Sequence, residues 1–169
     1  MFIDGSYVRA HQHAHGARRG EYCAIGKSRG GPTTKIHVAA DAHGNPLCIE
    51  ITGGQVHDSQ AAPILIEKID GENLIADKGY DSEDIREKAR NKKMVPIIPK
   101  RYNNKTPNPE FDRDLYRNRH LVENLFARLK HFRSVATRFE KIARNFKAVV
   151  VLACTFIWLK LQTNAGPVK

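Results

Sequence analysis

Cysteine is scarce: Cys23, Cys48 and Cys154 are the only three, widely separated, with no CxxC pair and no Cys/His spacing that would close a zinc site. A disulfide-stapled or zinc-ribbon scaffold is therefore excluded, and the thiols read as reduced bystanders. Long apolar runs are also missing. The longest, AVVVLACTFIWL from Ala148 to Leu159, lies between Lys147 and Lys160 and falls short of the ~20 residues that span a bilayer, so it reads as a buried helix. No charged leader and apolar stretch precede Asp4, so no signal peptide is expected and a cytoplasmic location is the default. Internal repeats and low-complexity blocks are absent, which excludes solenoids and linker-like chains.

What is present describes a basic, globular chain. With 169 residues, 41% of them hydrophobic, the sequence has material for one domain with its own core, expected over residues 1–169. A formal net charge of +10 attracts polyanions, either nucleic acid or an anionic membrane, and charge alone does not choose between them. Acid and base are segregated: residues 100–147 carry 13 Lys or Arg against 5 Asp or Glu, whereas residues 36–99 carry 7 against 11. The basic face thus belongs to the C-terminal third, as a DNA-binding face or as a solvated helical surface.

FIDGSYV, residues 2–8, reads as a strand that starts immediately after Met1, which leads us to expect a further segment upstream. Residues 9–34 read as a long polar connection. His11, His13 and His15 alternate within it and would clip a metal from a strand, whereas in a loop they are solvated side chains. KIHVAAD (35–41) and PLCIEIT (46–52) flank the turn residues AHGN and predict a hairpin. Asp58 and Ser59 offer a cap to the helix AAPILIEKI, with Gly71 just beyond its end, and Asp81 or Ser82 to the helix DSEDIREKARNKK. NLIAD (73–77) and MVPIIP (from Met94) predict two more strands, and the strand–helix–strand spacing requires a parallel crossover. The sheet should be mixed, within an α/β fold with flanking helices. EFDRDLYRNRHLVENLFARLK carries a helical apolar pattern, a second long helix is expected from Phe139 to Gln162, and the tail TNAGPVK should fray.

Asp77 falls at the carboxyl end of a strand, where open α/β sheets place their sites. Asp4 lies within an apolar strand, where an unpaired ionised carboxylate is costly to bury and a metal would offset the cost; alternatively it begins an Asp-Gly turn. Tyr116, Arg119, Glu123 and Lys130 fall at offsets of three, four and seven, which stack along one helix face. Taken alone, Arg119 and Glu123 form an ordinary surface i,i+4 pair.

YRNRHLVENLFARLK, however, reproduces the Y-x2-R-x3-E-x6-K signature of insertion-sequence transposases of the DDE class. FIDGSYVRAH resembles the block that carries the family's first aspartate and LIADKGYDS the block with its second, in the family's order, so that the chain from Phe2 to Leu161 resembles the IS-five group. The resemblance implies a ribonuclease-H-like fold, a mixed five-stranded sheet of three antiparallel strands then two parallel. It implies Asp4, Asp77 and Glu123 as a catalytic and metal-binding triad, Mg2+ or Mn2+ as cofactor, with two ions, and strand cleavage and transfer at transposon ends, with transposon-end and target DNA as partners. Tyr116, Arg119 and Lys130 would assist, the two basic residues by contacting DNA phosphates. A homodimer that pairs two ends is a further expectation.

One departure stands out. Members usually carry an N-terminal DNA-recognition segment before the first block, which leads us to expect either a product of an upstream reading frame as partner or a truncated copy. The competing readings are a ribonuclease-H-like nuclease that uses the same carboxylates, which the Tyr/Arg/Glu/Lys signature opposes, and a non-catalytic DNA-binding fragment.

Overall fold

The alternation of FIDGSYVRA across Phe2–Ala10 builds the strand around which the rest is arranged, β1. In the computed structural model, which describes residues 1–17 and 20–164 and side chains as far as Leu159, β1 is followed by β2 (Gly26–Ser28), β3 (Gly31–Ala40) and β4 (Pro46–Gly53). Then come α1 (Asp58–Glu67), β5 (Asn73–Ala76), α2 (Glu83–Asn91) and β6 (Val95–Ile97). The chain ends in α3 (Arg113–Arg117), α4 (His120–Lys130), α5 (Arg133–Ala136), β7 (Thr137–Arg138) and α6 (Ala143–Asn164).

Strands β4, β3, β1, β5 and β6 lie side by side in that order; the first three are antiparallel, and β5 and β6 join in parallel. This is the expected mixed sheet, with the strand pattern of a ribonuclease-H-like fold. Two short strands add to it, β2 beside the start of β3 and β7 parallel to the far end of β1. β5 pairs with β1 only at Phe2 and Ile3, and β7 only at Arg9 and Ala10. Since β3 fills the other edge of β1, Asp4–Val8 have no strand partner on this edge among the described residues, and the sheet opens just where Asp4 stands.

Period-two alternation sends Phe2, Val8, Ile36, Val38 and Ile75 to one face, where Val122, Leu125 and Leu129 of α4 and Phe146 and Val150 of α6 cover them. The other face, with Ile3, Ala39, Leu74 and Ala76, is covered by Leu65 and Ile66 of α1 and Ile85 and Ala89 of α2. No helix among the described residues is long and apolar enough to cross a membrane.

Several boundaries differ from those expected. Among the described residues, the connection expected over 9–34 is structured at both ends: β1 continues to Ala10, and the β2–β3 hairpin turns through Gly31 at φ +88°. The histidines stand in and beside a single 3-10 turn, Gln12–Ala14, with the His11 ring against His13 and Phe139. His57, not Asp58, caps α1, its side chain accepting from the Ser59 N–H. The helix expected through Tyr116 and Lys130 is divided in two: Asp112 caps α3, and Asn118, Arg119, Leu121 and Val122 each donate to the carbonyl three residues back, a tightened turn.

The last helix begins at Ala143 instead of Phe139, because buried Arg138 draws the carbonyls of Glu140 (2.8 Å) and Lys141 (3.2 Å) onto its guanidinium and holds that stretch in a turn. It continues through Thr163 and Asn164, where fraying is expected; residues 165–169 of that tail lie outside the described residues.

Candidate active site

Asp4 points from β1 toward α4, on the face of Phe2 and Val8. Its Oδ1 accepts from the Gly5 N–H at 2.8 Å, and its Oδ2 from Arg119 Nη1 at 3.1 Å. The other guanidinium nitrogen, Nη2, donates to Glu123 Oε1 one turn further along α4. Arg119 therefore ties the first strand to the helix, so the Arg119–Glu123 pair is more than an i,i+4 surface pair.

Burial pushes the Asp4 carboxyl up to about 6, with Asp77 and Asp58 adding to the effect and the Gly5 N–H and Arg119 opposing it. Asp77 follows Ala76, which pairs with Ile3, so each aspartate directly follows the last residue that its strand pairs with the other, where β1 and β5 part. The Asp77 carbonyl accepts from Tyr80 N–H (2.9 Å), and its side chain makes no capping bond to the turn it opens. Tyr116 packs on Phe111 with ring centroids 5.3 Å apart; burial raises its hydroxyl, while Arg119 beside it acts in the opposite sense.

The structure thus brings Asp4, Asp77, Tyr116, Arg119 and Glu123 to the opening of the sheet beside β1. Lys130 is apart from them: exposed at the last residue of α4, it stands ~10 Å along the axis from Glu123. The basic residues of the C-terminal third divide similarly. Arg128 donates to the Gly44 carbonyl, Lys147 pairs with Glu50 and Arg138 is buried, whereas Arg113, Arg117, Lys130, Arg133, Lys141 and Arg144 are exposed. Part of the basic excess is internal framework, and the exposed remainder is what a polyanion can meet.

Asp4 and Asp77 are hard oxygen donors of the kind that suit a divalent cation, and a carboxyl that burial drives toward neutrality gains most from one. Arg119 now supplies the positive charge between Asp4 and Glu123. Accordingly, no three His, Cys, Asp or Glu side chains among the described residues close into a ligand set as they stand.

Two features escaped the sequence reading. Asp81, one of the two expected caps, leaves the cap position of α2 to Ser82 and accepts from Arg86 Nη2 (3.0 Å), Arg101 N–H (2.9 Å) and Asn104 Nδ2 (3.2 Å). Arg101 also donates to the carbonyls of Lys78 and Gly79, so this knot fixes the turn directly after Asp77. Lys35 and His37, both buried, lie with Asp58 and Tyr80 behind β1; their only sequence signal is two basic residues on one face of an otherwise apolar strand.

The Asp4 carboxyl also makes stability depend on pH. The fold holds its proton more tightly than an unfolded chain does, a contribution present below about pH 4 and lost as pH rises through about 6. Asp4→Asn should therefore be more stable than the parent at pH 8 by about 1–3 kcal/mol, the opposing pull of Arg119 being already part of that shift, with no such gain at pH 4. Denaturant unfolding at the two pH values checks this; a difference that does not change with pH would show that Asp4 is not strained in its charged form.

A mixed sheet of this order, opening beside Asp4 of β1, Asp77 just past the end of β5 and Glu123 of α4, defines a ribonuclease-H-like architecture. The family described as "Transposase DDE domain" matches residues 1–158, and the chain belongs to it. It is 36% identical over 129 residues to the "Putative transposase for insertion sequence element IS6501" of Brucella ovis, covering 76% of this chain and 99% of that one. It is 35% identical over 147 residues to the "Putative transposase for insertion sequence element IS402" of Burkholderia cepacia, covering 79% of this chain and 67% of the other. No solved structure matches the chain.

Proposed function

We propose that this transposase-family chain is a catalytic domain that cleaves DNA at insertion-sequence ends and transfers the strands to target DNA by metal-dependent phosphoryl transfer. The observation that supports it most is that Asp4 and Asp77 each directly follow the last residues through which two parallel strands pair, Ile3 and Ala76, with Arg119 bridging Asp4 and Glu123.

Asp4, Asp77 and Glu123 would hold Mg2+ or Mn2+, two ions in all, which when bound activate the attacking oxygen and stabilise the leaving one. Asp4 stands on β1 and Asp77 just past the end of β5, and Glu123 is half exposed at the first turn of α4, able to turn toward them when Arg119 releases it. Arg119 then has a fork of donors for a DNA phosphate beside the carboxylates. Tyr116 packs against Arg119 and limits where it goes. Lys130, with the exposed Arg133 and Arg144, meets the DNA backbone away from the reacting bond. Pairing of two ends calls for a second copy of the chain.

Incubating the purified chain with a labelled fragment that carries its element end, in Mg2+, Mn2+ or EDTA, tests the reading on a gel. Nicked and joined products are expected with either metal and none with EDTA. Salt-sensitive binding without products in any metal would instead support a non-catalytic DNA-binding fragment.

A further inference from the structure

Behind β1, on the face opposite Asp4, lies a polar cluster that the proposed chemistry does not use. Lys35 and His37 of β3 are 2% and 0% exposed. Lys35 Nζ stands 3.1 Å from Asp58 Oδ1, donates to the Val56 carbonyl at 2.9 Å and lies 4.4 Å over the Tyr7 ring. His37 Nε2 meets Thr52 Oγ1 at 2.8 Å, and its Nδ1 faces the same Asp58 oxygen at 3.6 Å. The Tyr80 hydroxyl is buried without a hydrogen-bond partner among the described residues, within the field of Asp58, Asp4 and Asp77.

All of this converges on one backbone position. A methyl group on Gly5 would lie 2.7 Å from Asp58 Oδ1 and 3.1 Å from His37 Nδ1, so any larger residue there requires Asp58 or the strand to move. The Gly5 N–H in turn fixes Asp4 Oδ1 at 2.8 Å. A chain of contacts therefore leads from Lys35 to Asp58, to Gly5, to Asp4. Lys35 is buried while the Asp58 side chain is 30% exposed, and such a pair adds little to stability alone, since apolar residues of similar volume around it hold a fold as well or better; its use here is to fix a geometry.

We propose that Asp58, anchored by Lys35, is a positioning residue for Asp4, setting the place of the Gly5 backbone from the reverse side of the sheet. This rests on Asp4 being a metal ligand. It gives glycine at position 5 a second purpose, since an added methyl would press on Asp58 and shift the strand that carries the ligand.

Mn2+ binding to the full chain, followed by the loss of the free-ion paramagnetic resonance signal, tests it alongside thermal melting and cleavage kinetics. Gly5→Ala and Asp58→Ala are each expected to weaken Mn2+ binding about 10- to 100-fold, the range for residues that orient a metal ligand. In both, kcat should fall with KM for DNA held. The double variant should bind within about threefold of Gly5→Ala alone, because both changes act through one contact. If Asp58→Ala strands the Lys35 charge and fails to fold, Lys35→Met with Asp58→Ala removes both charges and should show the same Mn2+ loss. Wild-type Mn2+ affinity in folded Gly5→Ala or Asp58→Ala, or independent losses in the double variant, would overturn the proposal. A parent chain that does not bind Mn2+ overturns instead the reading of Asp4 on which it depends.

Discussion

Glu123→Gln is expected to abolish strand cleavage and leave most of the DNA affinity in place. The substitution keeps the size and helix propensity of the side chain and removes the charge that draws Arg119 across to it. A metal ion supplies several kcal/mol of transition-state stabilisation, so loss of a ligand should cost about 10³-fold or more in rate. The exposed Arg113, Arg117, Lys130, Arg133 and Arg144 are untouched, and binding should keep its steep fall with salt. Cleavage and a salt titration of binding, measured on the same preparation, separate the two. Unimpaired cleavage would remove Glu123 from the proposed triad; lost binding would mean that Glu123 shapes the DNA surface instead.

The second large effect concerns the frame. Arg138 is fully buried and forms no ion pair among the described residues: Nη1 donates to the Ala24 carbonyl (3.1 Å) and Thr34 Oγ1 (2.6 Å), Nε to the Glu140 carbonyl and Nη2 to the Lys141 carbonyl, and the guanidinium lies 5.1 Å from the Phe146 ring. Burial lowers its affinity for its proton, yet the charge is spread over three carbonyl dipoles from two segments and one threonine hydroxyl. Arg138→Met fills much of the volume and satisfies none of those carbonyls. A loss of about 3–5 kcal/mol is expected, or roughly 6–20 °C in Tm for a domain of this size. Melting curves decide it; a shift under 2 °C would mean that water satisfies those groups equally well.

The same arginine shows where sequence reading reaches its limit. The five core strands are legible because each is an apolar run closed by turn residues, and Asp77 because it ends one of them. The start of α6 is not: FEKIARNF has a helical pattern from Phe139, and only a residue buried against Ala24 and Thr34, more than 100 positions away, keeps Phe139–Ile142 out of the helix. Arg119 is similar. Its spacing from Glu123 is visible in the sequence, whereas its bond to Asp4 spans 115 positions and exists only once α4 crosses the sheet. Asp58 reads as an ordinary helix cap beside His57, and nothing local reveals that its carboxylate is turned to Lys35 and the back of Gly5.

The tightened turn between α3 and α4 has a consequence for length variation. Arg119 and Glu123 lie on consecutive turns of one helix, so a residue inserted or deleted between them rotates Glu123 by ~100° about the axis and carries it off the sheet. The connection from β6 to α3 behaves differently. It is pinned at Arg101, Asn104 and Asn108, and between the last two Thr106 bonds back to Asn104, the one such tie there among the described residues. An extra residue at 105–107 meets no such gearing and closes a slightly larger loop at small entropic cost. Working descendants of this sequence should gain and lose residues there, and keep the count from Asp112 to Lys130 fixed.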